Sequence, residues 1–234
     1  MKIEERERAC FGLLERLPHD KYVLIGGYAT SAFDFPRFSV DLDLVIKGED
    51  LGFFTDLLRG EGFRQTVSKE LGELYKGEFI RFERQINGLT VNVDLLVDMV
   101  QSRQTGSAYS FAYLFRNSEL REVTGSALAM RVKARVADRE MLIALKTNSM
   151  RLADQRDIIA LCNGDVDVGK VVEHLRRCPR EVIAENIDRL LATLRDPKSK
   201  DSIKGVFSLP DPVYRRIIAR TERVFRRVKE IAGR

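Results

Sequence analysis

Asp41 and Asp43 stand one residue apart in SVDLDLVI, residues 39–46, a stretch with the β-branched and aliphatic composition of a strand. On an extended chain, side chains two apart share a face, so Leu42, Leu44 and Ile46 can enter a core while both carboxylates stand on the other side. In TVNVDLLV, residues 90–97, Val91, Val93, Leu95 and Val97 share one face and Asp94 takes the other. If the two strands are neighbours, three carboxylates converge. Two such charges about 4 Å apart repel by about 4 kcal/mol at an effective dielectric of about 20, so a cation is expected between them. Hard oxygen donors in this number suit Mg²⁺ or Mn²⁺, which complete their shells with water and substrate phosphates.

A second set of residues suits an anion. Gly26 and Gly27 end the apolar run KYVLI and open the next segment, where missing side chains let a phosphate approach backbone N–H groups at a positive helix end. Arg37 and Ser39 follow and can add a cation and a hydroxyl. A Gly-Gly pair is commonly a turn and an Asp-x-Asp on a strand is commonly a solvated face. Their order in one stretch, with Asp94 in phase on a further strand, makes the chemical reading the stronger one.

The elements that would position these groups follow from periodicity. An opening helix carries Cys10, Leu13, Leu14 and Leu17 on one face and stops before Pro18. KYVLIGG is a short buried strand, and YATSAFDF is expected to form about two helical turns closed by Pro36. SVDLDLVI is the second strand. LGFFTDLLRGEGF is a helix with Leu51, Phe54, Leu57 and Leu58 inward, ending near Gly60. EFIRFERQINGLTVNVDLLVD alternates on both sides of Asn87-Gly88, a hairpin signal. MRVKARVA is expected as an edge strand. Asp138 can cap REMLIALKTNSMRLADQRDIIALC, and the remainder is helical in period with polar breaks. The expected fold is thus α/β (α+β): residues 1–137 form a mixed β-sheet with flanking helices, and residues 138–234 form a helical domain ending in a basic helix.

Composition sets the outer bounds. With 234 residues, 44% hydrophobic and 32% charged, the chain can bury a sizeable core. No apolar run reaches the roughly 20 residues of a bilayer span and the N-terminus lacks a signal-peptide apolar region, so a cytoplasmic location without membrane partners is expected. Cys10, Cys162 and Cys178 are far apart and read as small apolar fillers. His19 and His174 stand near no other candidate ligand and are expected on the surface.

The net charge is +5, whereas residues 196–234 alone carry eleven Lys and Arg against five Asp and Glu, a net of +6. There Arg216, Arg220, Arg223 and Arg227 form a helical stripe beside an apolar one of Val213, Ile217, Val224, Val228 and Ile231. The arginines form either a solvated face or a track for a nucleic-acid backbone.

Ile25-Gly26-Gly27 followed by Asp41-Leu42-Asp43-Leu44 resembles the nucleotidyltransferase superfamily that includes DNA polymerase β. GGYA with RFSVDLD is particularly similar to the branch containing AbiEii-type toxins. The resemblance spans roughly residues 20–165. It implies a mixed sheet carrying two divalent metals, bound by Asp41, Asp43 and a third strand carboxylate matched by Asp94. One metal would bind the triphosphate of an NTP, and the other would activate an acceptor hydroxyl for attack on the α-phosphorus. LIALKTNSMRLADQRDIIAL resembles the family's Lys motif and Arg-x-x-Asp-x-x-Asp, matched by Lys146, Arg151, Asp154 and Asp157. The resemblance implies that Lys146 belongs to the active site and contacts nucleotide phosphate. It does so for one of the two aspartates as well, with Asp157 favoured and Asp154 open. A plain salt-bridge network is the other reading of these four.

Taken together, the expected activity is Mg²⁺-dependent transfer of a nucleoside monophosphate from an NTP to RNA, tRNA above all, or to a protein hydroxyl. The resemblance adds a toxin role with an antitoxin protein as partner. The alternatives are a small-molecule nucleotidyltransferase of the antibiotic-modifying type and an inactive nucleotide- or RNA-binding module.

Overall fold

The computed structural model describes residues 2–70 and 77–232. Its first compact unit comprises residues up to Ala32, Pro36–Gln101 and Ala108–Asp138; the second comprises Phe33–Phe35, Ser102–Ser107 and the chain from Arg139 onward. The two short outlying segments of the second unit carry no signal in the sequence, because three and six residues are too few for periodicity to register.

In the first unit, helix α1 (Lys2–Leu14) precedes strand β1 (Tyr22–Ile25), helix α2 (Gly26–Thr30), strand β2 (Asp41–Ile46) and helix α3 (Leu51–Gly60). Strands β3 (Arg64–Glu70), β4 (Glu78–Ile86) and β5 (Leu89–Val97) follow. A small ribbon of β6 (Met99–Gln101) and β7 (Ala108–Ser110), helix α4 (Phe111–Arg116), and strands β8 (Ser118–Thr124) and β9 (Arg131–Ala137) complete it. The main sheet runs β3-β4-β5-β2-β1-β9-β8, with β5/β2 and β1/β9 parallel and the other neighbours antiparallel. It is the mixed α/β arrangement expected of a nucleotidyltransferase-like fold.

The central strands are the most apolar, as burial on both faces demands. All of β1 is buried, as are Leu42, Leu44, Val45 and Ile46 of β2, and α1 lays Cys10, Phe11, Leu13 and Leu14 into the same core. Asn87 and Gly88, at φ 49° and 77°, close the β4–β5 hairpin in the doubly left-handed turn that suits the twist of paired strands. Glu7 of α1 is fully buried, and its carboxylate accepts the backbone N–H groups of Ser126, Ala127 and Leu128 at 2.7–2.9 Å, which secures the β8–β9 connection.

Several expectations are corrected. The helix after the glycine pair spans Gly26–Thr30 and starts on the glycines themselves, while residues 31–35 are turns and bends. Ser31 Oγ, within hydrogen-bond distance of the Arg37 carbonyl and the Arg37 N–H, holds that irregular stretch against the loop and ends the helix early. Residues 131–137 do not form an edge strand, because β9 lies between β1 and β8. Strands β3 and β8, RQTVSKE and SELREVT, occupy the two edges and lack apolar alternation, since charged residues are what edges carry.

The second unit is helical: α5 (Arg139–Ser149), α6 (Leu152–Leu161), α7 (Val168–Leu175), α8 (Arg180–Arg195), α9 (Pro197–Phe207) and α10 (Asp211–Ala232). Helix α10 buries Tyr214, Ile217, Thr221, Phe225 and Val228, so Val213, Val224 and Ile231 flank the buried face instead of forming it. The aromatic rings remove more apolar area from water than valines do, and Thr221 is admitted because its hydroxyl donates to the Ile217 carbonyl at 2.9 Å. His174 of α7 is 1% exposed, against the expectation of a surface position. The three cysteines are buried and free; burial pushes the thiols of Cys10 and Cys162 up to about 12. Among the described residues no helix is long and apolar enough to cross a membrane.

Candidate functional site

Strand β2 meets β5 in parallel register, pairing Asp41 with Asn92 and Asp43 with Asp94. Paired residues on parallel strands face the same side, so the three aspartates and Asn92 share one surface of the sheet. Across the hairpin, β5 pairs Asp94 with Arg81 of β4. The Arg81 guanidinium grips Asp94 with both prongs: Nε donates to Oδ1 and Nη2 to Oδ2, each at 2.7 Å. Nη2 also lies 3.9 Å from Asp41 Oδ1. Asn92, 9% exposed, donates from Nδ2 to the same Asp41 oxygen at 2.7 Å, and its own Oδ1 meets no donor among the described residues.

Burial pushes the Asp94 carboxyl above the usual carboxylate range; Arg81 pulls it part of the way back, and the charges of Asp41 and Glu83 add to the rise. The hydrogen bond to Asp94 in turn raises the guanidinium of Arg81.

The glycine pair closes on this surface. Ile25 is the register partner of Asp43, and the next residue, Gly26, sits at φ 72°. A Cβ on Gly26 would overlap the Asp43 carboxylate, and one on Gly27 would overlap Ser39 Oγ and crowd Arg37 Nη2. Glycine is required here so that these side chains can approach the backbone. Ser39 is buried and its hydroxyl donates to the Asp41 carbonyl at 3.2 Å. Gly26, Gly27, Arg37, Ser39 and Asp43 therefore form one cluster continuous with the three-aspartate surface.

Lys146 and Asp157 belong to the helical unit, where they pair with each other. Lys146 Nζ of α5 lies 2.5 Å from Asp157 Oδ2 and 3.7 Å from Asp154 Oδ1 of α6, and all three side chains are buried. Burial alone would raise Asp154, but hydrogen bonds from Arg151 and Ser149 and the charge of Lys146 outweigh it and hold the carboxyl below its usual range. Of the arginine stripe, Arg216 and Arg220 hydrogen-bond Asn163, Arg220 also pairs with Asp165, Arg227 pairs with Glu230 at 2.7 Å, and Arg223 is exposed.

Arg81 is the site residue that sequence reasoning missed, although its signal was present. A two-residue turn at 87 and 88 pairs residues whose numbers sum to 175, which sets Arg81 opposite Asp94.

Among the described residues no three His, Cys, Asp or Glu side chains are already arranged to hold a metal ion. The donor chemistry nevertheless fits one: hard carboxylate oxygens from two strands, a buried amide oxygen on Asn92 with no donor, and a surface that already holds a cation, the Arg81 guanidinium.

No family model matches the chain, and no curated protein does. Solved structures do. One is a crystal structure provisionally described as a nucleotidyltransferase from H. pylori, 13% identical, with TM-score 0.52 over 99% of this chain and 95% of that one. Another is JHP933 from Helicobacter pylori, 14% identical, with TM-score 0.49 over 99% and 92%. At 13% identity the similarity to the first of these is one of fold.

Proposed function

We propose that this chain is a divalent-metal-dependent nucleotidyltransferase that moves a nucleoside monophosphate from an NTP to an acceptor hydroxyl. The observation that carries the reading is the β2–β5 register, which brings Asp41, Asp43 and Asp94 onto one surface beside the Gly26-Gly27 turn. Its likeness in fold to a protein provisionally described as a nucleotidyltransferase supports it.

Asp41 and Asp43 would hold Mg²⁺ or Mn²⁺, with Asp94 completing the set. The bound cation would neutralise phosphate charge and acidify the acceptor hydroxyl. Arg37, Ser39 and the N–H groups of the glycine turn would orient the β- and γ-phosphates. Asp94 would take the proton of the acceptor hydroxyl as the acceptor oxygen bonds to the α-phosphorus. The bond between the α-phosphorus and the bridging oxygen breaks, and pyrophosphate leaves.

RNA, tRNA in particular, is the favoured acceptor because of the basic C-terminal segment, with a protein hydroxyl second. The AbiEii-like motif between Ile25 and Ile46 adds a cytoplasmic toxin role countered by an antitoxin. Incubation with each radiolabelled NTP, Mg²⁺, total RNA and cell protein tests the reading. Label should enter one macromolecular pool, and Asp41→Ala or Asp43→Ala should reduce it at least about 100-fold with the fold retained. Full labelling by either variant would refute the assignment.

The Arg81–Asp94 pair favours a second reading, a module that binds nucleotide or RNA without turnover. Calorimetric NTP binding that is independent of Mg²⁺, with no labelled product, would establish it.

A further inference from the structure

Both oxygens of Asp94 are committed to Arg81, in the fork geometry that uses two guanidinium N–H groups and two carboxylate oxygens at once. The carboxylate is the deeply buried partner, 6% exposed against 30% for the arginine. The same guanidinium lies 3.9 Å from Asp41, and Asn92 Oδ1 close by lacks a donor among the described residues. The protein thus supplies its own counter-charge to an acidic surface that would otherwise repel itself. That counter-charge takes one lone pair on each Asp94 oxygen and sets positive charge where a metal would approach the carboxylate.

We propose that Arg81 is a positioning residue that holds Asp94 in the metal-free protein, and that a divalent cation binds the Asp41, Asp43 and Asp94 surface only by displacing the Arg81 side chain. The inference rests on the reading of this surface as a divalent-cation site. The fork takes one lone pair on each Asp94 oxygen, and a divalent ion that approached the same carboxylate would meet the like charge of the guanidinium at contact distance. Arg81 has a nearby alternative seat: its Cζ already lies 5.8 Å from the centroid of the Phe79 ring, two residues back on β4 and therefore on the same face. The displaced guanidinium stays at the site as a mobile positive charge. The arginine therefore allows the surface to be built before metal arrives, and it makes metal binding weaker than the bare carboxylates would give.

Mn²⁺ binding to the whole chain, followed by electron paramagnetic resonance of the free ion, separates the two levels of the argument. Asp41→Asn combined with Asp43→Asn should abolish binding; if it does not, or if the wild type binds no Mn²⁺, the cation-site reading fails and the inference with it. Given that result, Arg81→Gln should bind Mn²⁺ about tenfold more tightly or better, since a charge-assisted bidentate contact no longer competes. Affinity equal to or below wild type would overturn the inference. Because Arg81→Gln leaves Asp94 without its partner in the metal-free fold, a wild-type measurement stands beside it. The Nε–H resonance of Arg81, assigned by its loss in Arg81→Lys, should shift and exchange faster with water as Mg²⁺ saturates. A resonance unmoved at saturation would overturn the inference.

Discussion

Gly26 concentrates the constraints on the site into one residue. It sits at φ 72°, where an L side chain is strained, and the volume a Cβ would fill is held by the Asp43 carboxylate. Gly26→Ala is therefore expected to cost about 1–3 kcal/mol in backbone strain and to push Asp43 off the surface it shares with Asp94. Denaturant unfolding together with Mn²⁺ binding measures both effects; an unchanged midpoint and unchanged affinity would show that the turn tolerates a side chain. The phase of Asp41, Asp43 and Asp94 could be read from alternation alone, because strand periodicity is local. Their convergence could not, because the parallel pairing of β2 with β5 joins segments some fifty residues apart and leaves no local trace. Arg81 lies between these cases. Its pairing with Asp94 follows from the Asn87-Gly88 turn by counting, but an arginine in EFIRFERQI looks like an ordinary solvated position until the register is worked out.

At the scale of elements, buried charges do the fastening that short apolar segments cannot. Glu7 accepts N–H groups from Ser126, Ala127 and Leu128, and a glutamine there would turn an amide NH₂ toward donors. Glu7→Gln is expected to cost about 2 kcal/mol and to lower Tm by about 4–8 °C, checked by calorimetry. An unchanged Tm would mean the connection is held by other contacts. In the helical unit Asp154 plays the comparable part, accepting from Ser149, from the Arg151 backbone and from the Arg151 side chain at the start of α6. Its carboxyl is held below the usual value of 3.8, so its contribution is fully present above pH 3.8 and disappears as pH falls through the lower folded value. Asp154→Asn should flatten the acid limb of the stability profile in that window; an acid limb identical to wild type would remove Asp154 from the account. The elements hidden from the sequence were the polar ones. Edge strands β3 and β8 have no apolar stripe to detect, and without β8 the inner strand β9 passes for an edge.

Across the whole molecule, charge is distributed unevenly: the net of +5 hides a C-terminal segment of +6. The sequence shows four arginines of α10 in one stripe, but the folded unit divides their work. Arg220 is drawn onto the loop of Asn163 and Asp165, and Arg216 reaches Asn163 as well, whereas Arg223 is exposed and Arg227 meets only a neighbouring exposed glutamate, Glu230, at its described contacts. A proposed RNA acceptor would draw its electrostatic attraction mainly from the exposed pair. Each phosphate neutralised contributes a slope of about 0.7–0.9 in log affinity against log salt, because counterions are released. Arg223→Ala with Arg227→Ala should therefore reduce the slope for tRNA by about 1–2 and leave Tm within about 1 °C of wild type, since exposed side chains carry little stability. Arg220→Ala should do the reverse, lowering Tm while moving the slope little, because its guanidinium is already committed to the protein. Fluorescence anisotropy at several salt concentrations, paired with thermal unfolding, reads both quantities on the same samples. If the double variant keeps the wild-type slope, tRNA does not lie along α10 and the acceptor must be sought elsewhere on the protein.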